Sequence, residues 1–181
     1  MTVHYKYGGS TAARTLRCNG WVALASTLPK SKGDNGSIYA DQGTMLHECC
    51  EILEDTQMSY EELLAKGVRF NDSVLDEDSL EKKVVPAMEA LDDWCEEYNF
   101  DTVLTEKTIE FEDNIGGTAD IFASNSEVIG CGDYKFGDGV MVNAEDNKQM
   151  YFCTWIALED GLFDDVIDTA SKVVFAIIQP S

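Results

Sequence analysis

Between Thr102 and Phe136 the sequence reads as three strand-like runs, Thr102–Phe111, Gly117–Ser124 and Glu127–Phe136, parted by Glu112-Asp113-Asn114 and Ser124-Asn125-Ser126. Turns this short and polar join antiparallel neighbours, so the runs predict a three-stranded meander. On either side the apolar period changes to 3.6. Leu80, Val84, Ala87, Met88, Leu91, Trp94, Cys95 and Tyr98 keep one stripe over five turns, with Pro86 a kink or restart point. After the meander come a helix from about Ala144 to Glu159 and a strand from Lys172 to Ile178. The predicted order is helix, three strands, helix, strand: an α/β fold of mixed α+β character built on a mixed sheet.

Upstream, Met45, Leu46, Cys49, Ile52 and Leu53 recur at helical spacing from Asp41 to Asp55, placing His47 and Glu51 on one side. Ser10 or Thr11 caps a short helix to Leu16, and a second piece runs from Gly20 to Leu28, closed by Pro29. The stretch from Pro29 to Gly36 reads as a loop. A length of 181 residues suits one domain. Residues 1–181 are therefore read as a single domain, with 1–40 a basic N-terminal helical segment and loop and 41–181 the core.

The six cysteines form no CxxC pair and no secreted disulfide framework, which argues against zinc and for buried, reduced thiols. No apolar run approaches bilayer length and no secretory signal opens the chain, so a soluble cytoplasmic protein without a membrane partner is expected. The net charge of -21 is unevenly spread. Residues 1–33 hold Lys6, Arg14, Arg17, Lys30 and Lys32 and no acid, whereas 34–181 hold 8 bases and 34 acids. One basic face could meet nucleic acid while the remainder repels it.

Asp133 and Lys135 are two apart in a strand, so they project to one side from positions about 7 Å apart along the chain. Asp120, in the preceding strand, can reach the same face if the two strands pair. Phosphodiester hydrolysis needs a cation at the phosphate, an activated water and a positive group near the developing charge, and two aspartates with a lysine provide these. Hard oxygen ligands favour Mg²⁺ or Mn²⁺, with the Tyr134 carbonyl a further donor. The glycines around both aspartates admit close approach of a ligand backbone.

Gly43-Thr44-Met45-Leu46-His47-Glu48, then Gly117-Thr118-Ala119-Asp120, then Asp133-Tyr134-Lys135, then Gln149 early in a helix, resemble the successive motifs of RecB-like PD-(D/E)XK exonucleases. The Ser/Ala-rich segment from Ser10 to Cys18 resembles the opening of a phage-encoded branch of that superfamily. The resemblance implies a restriction-endonuclease-like αβββαβ core. It implies that His47, Asp120, Asp133 and the Tyr134 carbonyl bind the metal, that Lys135 positions the attacking water and stabilises the transition state, and that Gln149 holds substrate or Lys135. The family pattern has a tyrosine four residues after the glutamine, where this chain has Cys153. Tyr151 lies about 200° around the helix from Gln149 and does not simply replace it. Relatives with an iron-sulfur cluster carry several C-terminal cysteines; nothing follows Cys153 here, so no cluster is expected.

These features lead to the expectation of a Mg²⁺- or Mn²⁺-dependent deoxyribonuclease, an exonuclease of phage recombination or replication acting in the cytoplasm of a bacterial host. Asp120, Asp133, Lys135 and Gln149 form its catalytic set; Arg14, Arg17, Lys30, Lys32 and Tyr151 are the candidate DNA contacts. A recombination protein is a candidate partner, and a homo-oligomer would concentrate the few bases in a channel. The alternative is an acidic nuclease-fold protein of weak or no activity, acting as a DNA mimic or accessory subunit.

Overall fold

A computed structural model describes residues 5–18, 20–27, 38–137 and 141–180. A 3-10 turn, Gly9–Thr11, leads into helices α1 (Ala12–Arg17), α2 (Trp21–Thr27), α3 (Ile38–Thr56) and α4 (Tyr60–Lys66). A small hairpin of β1 (Arg69–Phe70) and β2 (Ser73–Val74) precedes α5 (Glu77–Ser79), a π turn (Leu80–Val84) and α6 (Val85–Tyr98). Then follow β3 (Thr102–Glu112), β4 (Ile115–Ser124), β5 (Val128–Tyr134), α7 (Lys148–Glu159) and β6 (Lys172–Ile178). The expected loop from Pro29 to Gly36 lies outside the described residues. Among those described, no helix is long and apolar enough to cross a membrane.

The chain falls into two compact units. One comprises Met1–Gly33, Phe100–Gly132 and Asn143–Phe175; the other comprises Asp34–Asn99, Asp133–Val142 and Ala176–Ser181. β5 and β6 begin in the first and end in the second.

The first unit is built on a four-stranded sheet of order β3-β4-β5-β6. β3, β4 and β5 are antiparallel neighbours, as the short turns require. Asn114, at φ 73, closes the first turn, and Phe111 is the extra residue of a bulge between Glu110 and Glu112. At the second turn the Asn125 side chain accepts from the Glu127 and Val128 N–H groups, a local bond that competes with strand and so ends it. β6 runs parallel to β5, since the hydrogen bonds Ser171 to Glu127 and Lys135 to Ile178 advance together along both strands. A parallel neighbour needs a crossover, which here contains α7. The sheet is therefore mixed.

β5 is buried at all seven positions, which explains why its sequence shows little alternation. It ends at Tyr134 rather than Phe136, and β4 starts at Ile115 rather than Gly117. α7 starts at Lys148, not Ala144. Asn147 caps it, its side chain accepting from Gln149 and Met150 N–H, and Asp146 just before has φ 56, which breaks any earlier helix.

The second unit is mostly helical. α3 contributes Met45, Leu46, Cys49 and Leu53 to its core, and α6 contributes Ala87, Met88, Leu91 and Trp94. The apolar stripe is continuous from Leu80, but the backbone widens to a π turn just before Pro86. Proline donates no N–H and crowds the carbonyl four residues back, and one wider turn accommodates both. Asn99, at φ 52, ends α6. α4 was not anticipated. Its signal was present: Ser59 and Glu62 form a reciprocal capping box and Gly67 ends the helix in the left-handed region.

Candidate metal centre

In the sheet unit, Asp120 lies on β4 and the ladder to β3 puts Glu106 across from it. Thr105 pairs with Ile121 and Lys107 with Ala119, so Glu106 and Asp120 are the residues between two successive pairs. Each offers a carboxylate oxygen, and these lie within 4.8 Å of one another. Glu106 has φ 44, a left-handed backbone that costs a residue of this kind about 1–2 kcal/mol and is rare inside a strand. Two half-buried carboxylates this close repel unless a proton or a cation joins them. Hard oxygen donors suit Mg²⁺ or Mn²⁺, so the donor set fits the metal that the sequence implies.

Sequence reasoning missed Glu106. Strand alternation sees one more acid on a polar edge; only the register across to Asp120 gives it a partner. The last pair of the β4–β5 ladder is Ile121 with Gly132, and Asp120 and Asp133 are the next residues on their strands.

In the helical unit, Asp133 is 2% exposed and its carboxylate is ion-paired with the Lys135 ammonium. The i, i+2 spacing of an extended chain places both side chains on one side, and the pair offsets the cost of burying the charge. The Lys135 side chain keeps 32% of its surface exposed, so it retains access to solvent.

α3 presents His47 edge-on to the rings of Tyr134 and Phe136, with centroids 6.0 and 5.2 Å away. Those two rings stack on each other at 5.8 Å. Burial among them lowers the His47 pKa below its ordinary value; the Asp133 carboxylate opposes this shift and Lys135 adds to it. A lowered pKa favours the neutral imidazole, which is the form that metals bind. The Tyr134 ring is buried, so a role for this residue toward a metal falls to its backbone.

Gln149 lies in the first turn of α7, its helix tied to the N-terminal segment. A Cβ at Gly9 would come 2.6 Å from the Cys153 Sγ and 3.3 Å from the Gln149 Cγ, so any larger residue would push those side chains aside. This explains the cysteine at the position where the resembled superfamily has a tyrosine. Cys153 is buried at 2% exposure beneath that turn, with no room for a ring. Tyr151 points elsewhere, half exposed, edge-on to Phe175 at 5.2 Å and under the Lys148 ammonium.

Of the other candidate contacts, Arg14 and Arg17 are exposed on α1, with the Arg14 guanidinium 5.7 Å from the Trp21 ring centroid. Lys30 and Lys32 lie outside the described residues. None of the six cysteines is in a disulfide, and four of them are buried. Burial pushes the Cys49 thiol up to about 12 and Cys95 to about 11, so neither is a reactive thiolate.

A family model described as a protein of unknown function, DUF2800, matches residues 4–181. The chain belongs to the DUF2800 family. The match takes in both units of this DUF2800 member, and thus His47, Glu106, Asp120, Asp133, Lys135 and Gln149 alike.

Proposed function

We propose that this protein is a divalent-metal-dependent deoxyribonuclease of the PD-(D/E)XK type, an exonuclease of phage recombination or replication. The observation that carries the reading is the buried Asp133–Lys135 pair at the end of β5, one step beyond the Ile121–Gly132 pair that adjoins Asp120. It is supported by the carboxylate facing Asp120, by the lowered pKa of His47, and by the succession of motifs along the chain.

Asp120, Asp133, His47 and the Tyr134 carbonyl would hold Mg²⁺ or Mn²⁺, and Glu106, across the ladder from Asp120, would offer a further carboxylate. When bound, the metal neutralises the phosphate and acidifies a water. Lys135, held by Asp133 yet open to solvent, orients the water and stabilises negative charge developing on the phosphate. Gln149 holds substrate from the first turn of α7, and Arg14, Arg17, Lys30 and Lys32 supply cations for the DNA backbone.

Digestion of end-labelled DNA tests this directly. Mn²⁺-stimulated cleavage is expected from the wild type and a loss of about 100-fold or more from Lys135→Ala; equal background from both proteins would sink the enzymatic reading. A second reading is favoured by the charge of -21: an acidic nuclease-fold protein that occupies a DNA-binding partner in place of DNA. Gel filtration with a host lysate would then give a stable complex free of DNA, alongside no cleavage.

A further inference from the structure

In the sheet unit, α7 turns one stripe of side chains outward. Lys148, Tyr151 and Trp155 occupy positions i, i+3 and i+7, which share a helix face. The Lys148 ammonium lies 5.1 Å from the Tyr151 ring centroid, and Tyr151 and Trp155 are 41% and 40% exposed. Trp155, with Phe152, Tyr7, Thr15 and Ile115, lines an open cavity of about 320 Å³. Phe111 tilts against the Trp155 ring at 5.0 Å. The Thr15 hydroxyl accepts from the Trp21 indole N–H at 3.1 Å, which anchors the N-terminal wall.

The cavity is small, apolar and walled by rings, at the low end of the size range for ligand sites. It suits a flat aromatic group. Its charged surroundings say what that group carries. Tyr7 and Thr15 belong to the acid-free stretch of residues 1–33, and Lys6, Arg14 and Arg17 stand exposed next to them in sequence. Lys148 stands at the other end of the stripe. Carboxylates stand there too: Asp146 lies 3.8 Å from the Lys148 ammonium, Glu112 pairs with Ile115 across the ladder, and Glu110 accepts from the Tyr5 hydroxyl at 3.4 Å, so a phosphate at Lys148 would displace Asp146. An aromatic ring inside with anionic groups outside is the chemistry of a nucleotide. A duplex keeps its bases stacked and closed, whereas a single strand offers them to aromatic side chains.

We propose that this cavity seats an unpaired base of single-stranded DNA, stacked on Trp155, with Lys148 and Arg14 taking the flanking phosphates. The choice of DNA rests on the nuclease reading above, and the consequence is a preference for single strands or frayed ends.

The test is fluorescence anisotropy of a labelled oligo-dT, and of a duplex of equal length, with the full chain in EDTA. Trp155→Ala should weaken single-strand binding about tenfold and leave duplex binding unchanged, while Trp155→Phe should stay within about threefold of wild type. A 2-aminopurine in the oligonucleotide should be quenched by wild type and Trp155→Phe but not by Trp155→Ala. Equal single-strand affinity for wild type and Trp155→Ala, or quenching that survives the alanine, would overturn the proposal. So would an altered elution volume of Trp155→Ala with unchanged oligonucleotide affinity, which would make the surface a contact between copies of the chain. Binding in EDTA requires neither metal nor cleavage. Trp155-dependent quenching without any nuclease activity would therefore leave the stacking site standing, and cleavage with Trp155-independent binding would remove the stacking site alone.

Discussion

Asp120 and Asp133 follow the same ladder pair on neighbouring strands, yet their surroundings are opposite in kind. Asp120 is half-buried with a second carboxylate, Glu106, across the ladder. Asp133 is fully buried and matched by an ammonium. A carboxylate facing another gains from an added cation; one already paired gains less, because its charge is compensated. On the proposed reading, metal affinity would rest chiefly on the Asp120 side, while Asp133 holds the lysine.

The largest expected effect is on metal affinity. Calorimetry with Mn²⁺ should lose its heat signal in Asp120→Ala, and Glu106→Gln should weaken binding about tenfold, by analogy with other residues that support metal ligands. Unchanged binding in both variants would reverse the assignment.

Next comes stability. Lys135→Ala strands the Asp133 carboxylate and should cost about 2–3 kcal/mol in chemical denaturation, less than for a fully buried pair because Lys135 is a third exposed. The double change Asp133→Asn with Lys135→Met should recover most of that loss. If the double variant is as unstable as the single one, the pair is not what holds this end of β5.

His47 predicts a pH dependence. Its folded pKa lies below the ordinary 6.5, so as pH falls through that value the unfolded chain takes up a proton before the folded one does. Its contribution is present above about 6.5 and is lost progressively below it. Thermal melts from pH 7.5 to 5 should fall more steeply for wild type than for His47→Gln. Parallel curves would show that the imidazole is not held neutral by its ring neighbours.

The smallest effect separates strain from function at one residue. Glu106→Gly removes the penalty of a left-handed glutamate and should raise stability by up to about 1 kcal/mol while weakening Mn²⁺ binding. A loss of stability instead would mean that the Glu106 side chain holds the strand rather than a metal.

Much of this was legible along the chain. β6 occupies the residues that its apolar run predicts, and the turns at Asp113-Asn114 and Asn125 carry the residue types that such turns require. The Asp133–Lys135 pairing followed from strand spacing alone. The start of α7 was misplaced because Asn147 is a stronger cap than any residue near Ala144, and a helix boundary depends on that one side-chain bond. The π turn is a local answer to Pro86 that an apolar stripe does not record, since the stripe runs through it unbroken.

Periodicity, turn chemistry and caps act between residues close in sequence, and they determined the order of the main elements from α6 to β6, the antiparallel meander and the candidate lysine and aspartates. Tertiary structure alone decided which side chains meet. Glu106 acquires Asp120 as a neighbour only through the register of two strands, and Cys153 packs against Gly9, 144 residues away. Such contacts depend on how distant segments pack, and in one sequence no local period announces them.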